Sequence, residues 1–231
     1  AVNIMAGSVA VPFAEVVKGL AGTGADETYR SIVWQLRFPR AMAALILGGA
    51  LALSGYLLQT YFQNPIAGPF VLGISSGAKL TVALVMVFFL GQAGGISSLV
   101  LILAAFAGAM LSMGFVLLIS RRLRSASLLV VSGIMIGYIC SAVTDLVVTF
   151  ADDADIVNLH NWSMGSFSGI SWDNVAVMAA VTAVTGVLVF FLSKPIAAYQ
   201  MGEAYAESLG VDVRRFRAAL VLLSSVLSAC V

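Results

Sequence analysis

Charged positions drop out of this chain for long stretches. None lies between Arg40 and Lys79, and none between Lys79 and Arg121. A water-soluble fold cannot hide so much apolar length, so the pattern is that of a chain solvated by lipid. The stretches 41–62, 70–90, 96–120, 126–150, 174–193 and 216–231 meet or approach the roughly 20 apolar residues that a spanning helix needs. Alternation with period two is nowhere sustained, which excludes barrel strands and leaves helices as the structure that satisfies its own backbone in hydrocarbon. The pattern therefore predicts an all-α, polytopic transmembrane helical bundle.

The polar interruptions organise the rest. Residues 12–36, with Glu15, Lys18, Asp26, Glu27, Arg30 and Trp34, read as an amphipathic surface helix and loop outside the bilayer. In the first long span, Gly48, Gly49, Ala50, Ala52, Ser54 and Gly55 suit close helix packing. QNPIAGP, with Pro65 and Pro69 four apart, must break the helix. GQAGG and RRLR mark two further turns, and ADDADIVNLHNW reads as a polar, acidic loop. WSMGSFSGISW places Trp162 and Trp172 as anchors in the interface zone. The polar run KPIAAYQMGEAYAESLGVDVRRFR separates the last two spans. Residues 1–231 are expected to form one transmembrane domain, with an outer-face segment at 12–36 and a cytoplasmic segment at 194–217.

Composition agrees: 61% of residues are hydrophobic and 10% charged, outside both globular and disordered norms. The net charge of +1 is uninformative, but its distribution is not. Lys and Arg in short loops mark the cytoplasmic side. Arg121, Arg122 and Arg124 lie on one side, and Lys194, Arg214, Arg215 and Arg217 return to it two crossings later. The acidic stretch 151–155 falls opposite, so 151–173 faces out. Counting back puts QNPIAGP inside and Arg30, Arg37 and Arg40 outside. Arginines there either pair with Asp26, Glu27 or lipid headgroups, or await an acidic partner protein. Cys140 and Cys230 sit apart in apolar runs as small hydrophobes. The opening AVNIMAGSVAVPF reads like the tail of a helix and the close LVLLSSVLSACV stops inside an apolar run, so a piece of a longer chain is expected.

Five segments together resemble one family: WQLRFPR at 34–40, GGALALSGYLLQTYFQNPIAGPFVLGISSGA at 48–78, SGIMIGYICSA at 132–142, NWSMGSFSGISW at 161–172 and GEAYAESLGVDVRRFR at 202–217. In order and spacing they look like the permease subunits of type II ABC importers for iron-siderophores, haem and vitamin B12, multi-pass proteins of the bacterial or archaeal cytoplasmic membrane. The resemblance implies a fold of about ten helices, of which about six to seven are here. It implies a homodimer, two ATP-binding subunits on the cytoplasmic face, one extracytoplasmic substrate-binding protein, and no nucleic acid. It makes this chain a non-enzyme without a cofactor, ATP and Mg being held by the partner ATPase. The cargo it implies is a ferric siderophore or similar metal chelate.

Residue roles follow in the same way. GEAYAESLG reads as a short helix with Glu203 and Glu207 on one face and Gly210 as its C-cap. The resemblance makes it the coupling helix that docks on the ATPase, through Gly202, Glu203, Glu207, Leu209, Gly210, Arg214 and Arg215; a plain solvated turn is the alternative. It matches Arg37 and Arg40 to positions that meet glutamates of the binding protein. It places Asn64 and Ile66 at one cytoplasmic gate constriction, and Ser125 and Ser127 at the other, with Ala126 departing from the threonine of the family's best-known member. Asp145 lies either within a span, where a carboxylate is costly, or beyond a helix that ends a turn earlier. Lys79 either snorkels or lines the pore. His160 is read as solvated on an outer loop. The phosphate-loop pattern G-x-x-x-x-G-K-[ST] is absent; GISSGAK fails its spacing. An ion-coupled secondary transporter is the rival reading, and needs an intramembrane carboxylate with a partner.

Overall fold

The computed structural model describes residues 9, 11–21, 26–70, 72–89, 98–120, 126–167 and 169–231. Among them the regular elements are all helical: α1 (Phe13–Ala21), α2 (Glu27–Ser31), a π-helical segment (Ile32–Arg37), α3 (Phe38–Phe62), α4 (Ile74–Phe89), α5 (Ser98–Ser120), α6 (Ala126–Thr149), α7 (Asp153–Met164), α8 (Trp172–Phe191), α9 (Ser193–Gln200), α10 (Glu203–Ser208) and α11 (Val213–Ala229). Four uninterrupted stretches among the described residues are long and apolar enough to cross a membrane: Glu27–Phe62, Val100–Ile119, Val130–Thr149 and Trp172–Phe191. Large apolar side chains on them stand exposed, among them Leu103, Leu111, Phe115, Leu146 and Phe190, as helices facing hydrocarbon require.

The chain divides into two compact units, Ala1–Gly49 with Ser166–Ala183, and Ala50–Gly165 with Val184–Val231. In the first, α2 continues through the π-helical segment into α3 without a break. Pro39 explains the change of register. Its ring would crowd the carbonyl four residues back, and it has no N–H to give. Phe38 N–H therefore bonds Val33 O, five residues back, in the wider π pattern. That leaves the Trp34 carbonyl facing a proline, and Trp172 Nε1 donates to it at 2.8 Å. Trp34, Phe38 and Trp172 close into an aromatic cluster with ring centroids 5.2–5.8 Å apart.

In the second unit α4 packs against both α5 and α6, and α11 packs against α5. Glycines make the seams. A Cβ at Gly108 of α5 would lie 2.2 Å from the Gly77 carbonyl oxygen of α4, and one at Gly133 of α6 would lie 2.8 Å from Leu72 Cδ2. Gly73, at φ +73°, backs onto Gly137. Hydroxyls stitch the same seams, Thr81 Oγ1 to Ala104 O at 2.7 Å and Ser112 Oγ to Gly73 O at 2.9 Å. Gly77/Gly108 and Gly73/Gly133/Gly137 thus carry the small-residue packing that membranes favour. In the first span, a Cβ at Gly48, Gly49 or Gly55 would meet no atom of the described residues within 4 Å. Within 48–55 only Ala50 and Ser54 are buried, with Ser54 Oγ bonded to Ser224 Oγ at 2.9 Å and Ser228 Oγ at 2.6 Å on α11.

Two expectations are corrected. The acidic stretch read as a loop is α7. Asp152 stands at its N-cap, Asp153 and Asp155 fill its first turn where the helix dipole favours them, and Leu159 and Trp162 pack on Val82, Ala83 and Met86. His160 is therefore an exposed helical residue, and Trp162 is half-buried against α4. Helix α6 does not end before Asp145: it runs to Thr149, with Asp145 exposed on it and its carbonyl accepting from Thr149 Oγ1 at 2.9 Å. Lys79 is half-buried in α4.

Candidate functional site

The polar run between the last two long helices folds into two short helices rather than an open loop. Helix α9 carries Pro195 in its first turn, where no N–H is needed. Gly202, at φ +127°, makes the sharp corner into α10, a conformation open to glycine and costly for other residues. Gly210, at φ +83°, terminates α10: Gly210 N bonds Glu207 O at 2.9 Å and Val211 N bonds Ala206 O at 3.1 Å. That is the left-handed helix terminus for which Gly210 was expected as the cap. Asp212 then caps α11, its carboxylate accepting from Arg215 N at 3.0 Å and pairing with Arg215 Nε at 3.1 Å.

Tyr199, 1% exposed, is the hub. Its hydroxyl accepts from Arg217 Nε at 2.9 Å and donates to the Tyr61 carbonyl at 3.4 Å. Arg217 Nη2 continues to Glu203 Oε2 at 2.7 Å, and its guanidinium lies 5.6 Å from the Tyr199 ring centroid. The ring also meets Phe216 at 5.3 Å. Burial pushes the Tyr199 phenol above its ordinary range, opposed by the hydrogen bond and charge of Arg217. It stays protonated near neutral pH and so can donate and accept at once.

The QNPIAGP turn lies against this hub. Helix α3 ends at Phe62, and Gln63 takes φ +46°. Gln63 N bonds Thr60 O and Asn64 N bonds Gln59 O, both at 3.2 Å. This is the same terminus as at Gly210. Pro65 follows and cannot donate to the Tyr61 carbonyl four residues back; the Tyr199 hydroxyl takes that place. Gln63 Nε2 donates to Tyr199 O at 3.2 Å. Gln200 Nε2 reaches Tyr56 Oη at 3.3 Å and Thr60 Oγ1 at 3.4 Å. Asn64 is half-buried and its Oδ1 accepts from Ile66 N at 3.0 Å, while Ile66 stands 72% exposed. Of the other expected gate pair, Ser125 lies outside the described residues, and Ser127 falls in the first turn of α6.

The outward side of 193–217 carries Met201, Tyr205, Glu207, Leu209, Arg214 and Arg215, all exposed. Glu203 and Glu207 differ: Glu203 is turned to Arg217, Glu207 faces solvent. On the N-terminal unit, Arg37 does not stand on the surface as expected. It is 7% exposed, and its Nη2 donates to the Val9 carbonyl. The π register turns it toward its own chain, whereas Arg40 is half-buried and Arg30 exposed beside Glu27 and Gln35. Sequence reasoning missed Tyr199, Arg217 and Gln63. The available signal was Pro65, whose missing N–H demands another donor.

The sequence pattern of the FecCD transport family matches the chain over residues 1–231. The chain belongs to the FecCD transport family. Members are multi-pass proteins of the cytoplasmic membrane. The vitamin B12 import system permease protein BtuC of Pectobacterium atrosepticum is 40% identical over 204 residues, covering 87% of this chain and 60% of that protein. BtuC of Salmonella typhi is 38% identical over 190 residues, covering 82% and 57%. The chain thus spans about 60% of the length of the curated relatives it matches. A solved chain described as a metal-chelate type ABC transporter, in an inward-facing conformation, shares the fold with TM-score 0.83 at 24% identity, covering 99% of this chain and 69% of that one.

Proposed function

We propose that this FecCD-family chain is the membrane-spanning part of an ATP-driven importer of large metal chelates, and that residues 193–217 are where the motor grips it. One observation carries the reading. Between the long apolar α8 and the 17-residue α11 the chain builds a folded, glycine-cornered helix, α10, whose outer side presents Tyr205 and Glu207, with Leu209 at its C-cap and Arg214 and Arg215 beyond. A connection of this kind is longer than its linking role needs, and its exposed apolar and charged side chains fit a protein partner.

In this reading two copies form the conduit and two ATP-binding subunits, holding ATP and Mg, dock at Gly202–Gly210, Arg214 and Arg215. A binding protein delivers cargo to the face of Arg37 and Arg40, of which Arg40 is the more exposed. Asn64 and Ile66, with Ser125 and Ser127, close the inner end. The chain itself holds no cofactor and hydrolyses nothing. The names of the BtuC relatives favour a corrin chelate such as vitamin B12 over the ferric siderophore expected from sequence. The test is uptake of labelled cobalamin and of a ferric siderophore into vesicles holding the full-length protein, its ATPase and its binding protein. ATP-dependent cobalamin uptake, lost when the ATPase is omitted, is the expected result; uptake without the ATPase would contradict the reading.

A further inference from the structure

Gln63 is the one non-glycine residue with positive φ among the described residues. It occupies the position after α3 that glycine occupies after α10, with the same pair of hydrogen bonds. Glycine is preferred there because a Cβ crowds the backbone in the left-handed conformation. A side chain kept at such a site points to a role for that side chain. Here its amide donates to the Tyr199 carbonyl at 3.2 Å, across 136 residues of sequence. Tyr199 is in turn bonded to Arg217, and Arg217 to Glu203 of α10.

We propose that Gln63 is a positioning residue that ties the QNPIAGP turn to the segment 193–217, so that displacement of α10 is transmitted to the Asn64–Ile66 constriction. The proposal rests on the reading of α10 as the motor's docking element. The path is short and made of directional bonds: Glu203 to Arg217, Arg217 to Tyr199, Tyr199 to Gln63 and to the Tyr61 carbonyl. Two bonds reach α3 and its turn from one buried tyrosine. They come from opposite ends of Tyr199, its hydroxyl and its backbone carbonyl, so they fix the turn in direction as well as in distance. Gln200, next in sequence, adds bonds to Tyr56 and Thr60 on the same last turns of α3. Moving the turn away from α9 breaks several of these together, and moving α10 draws on the bond from Glu203 to Arg217.

The test uses the full-length protein assembled with its ATPase and binding protein. Gln63→Gly removes the side chain and relieves the backbone, so thermal stability of the assembly is expected to hold or rise. Gln63→Glu keeps size and shape but replaces the donor amide with an acceptor facing a carbonyl. Both variants are expected to assemble and hydrolyse ATP, while ATP consumed per chelate imported rises about fivefold, the effect of one lost hydrogen bond. A merely structural role would lower stability and hydrolysis together and leave that ratio alone. An unchanged ratio in both variants overturns the proposal. No ATP-dependent uptake by the unmodified assembly overturns the functional reading first, and the link with it.

Discussion

The α4–α5–α6 bundle and the knot around Tyr199 belong to one compact unit, yet hold their helices by opposite means. In the bundle, backbones meet directly. Gly77 and Gly108 face one another, as do Gly73 and Gly137, and single hydroxyls from Thr81 and Ser112 add hydrogen bonds to carbonyls. In the knot, backbones stay apart and long side chains bridge them: Tyr199, Arg217, Glu203, Gln63 and Gln200. Hydrocarbon gives no hydrophobic drive between helices, so close van der Waals contact must supply the association in the bundle. Where water reaches, directional polar bonds can be made and broken at modest cost. The first arrangement joins helices over a continuous contact; the second joins them through a few directional bonds, so that moving one element draws on those bonded to it.

Enlarging a seam glycine should break the contrast most severely. Gly108→Leu drives a side chain whose Cβ alone would lie 2.2 Å from the Gly77 carbonyl oxygen into α4, and is expected to cost about 3 kcal/mol or more. Loss of monodisperse protein in detergent checks it. Next comes Tyr199→Phe, which keeps the ring and deletes the hydroxyl shared by Arg217 and Tyr61. A cost of about 1–3 kcal/mol is expected, since a buried carbonyl loses its donor. Thermal unfolding checks that figure. Because burial raises the folded phenol's pKa, its contribution is full below the ordinary tyrosine pKa and is lost as pH rises through the folded value. The wild-type chain should therefore lose stability at alkaline pH more steeply than Tyr199→Phe. Gly210→Ala forces a Cβ into φ +83° and should cost about 1 kcal/mol, sharpening the comparison with Gln63, which tolerates that region natively. Smallest is Arg215→Ala. Its pair with Asp212 has side chains 89% and 54% exposed, so a change within about 0.5 kcal/mol is expected from the same melt.

The helices were legible because lipid makes hydrophobic length a direct signal. The expected stretches 41–62, 96–120, 126–150 and 174–193 coincide with α3, α5, α6 and α8 to within a few residues. Misreadings came where polar composition hides a helix. Asp152, Asp153 and Asp155 look like a loop, but acidic residues are what a helix start accepts, and Leu159 and Trp162 supply the buried side. The short helix 203–208 and its Gly210 cap were readable from local rules alone. Arg37 was not: its burial follows from the π register that Pro39 imposes, a backbone effect with no mark in the side-chain pattern. The two prolines carry a common lesson. Pro39 and Pro65 each deprive an earlier carbonyl of its donor, and in both cases a distant aromatic side chain, Trp172 or Tyr199, supplies it. The need was visible in the sequence, but the donor, 138 residues away each time, was not.

The sidedness and grip of α10 test the whole account most directly. With the native cysteines replaced, Glu207→Cys is placed in the full-length protein and assembled with its ATPase in vesicles of known orientation. The account predicts that an impermeant maleimide labels this position only from the cytoplasmic side, that the ATPase shields it, and that a short cross-linker joins the two proteins there. Labelling from the external side, or free labelling that the bound ATPase leaves unchanged, would contradict it.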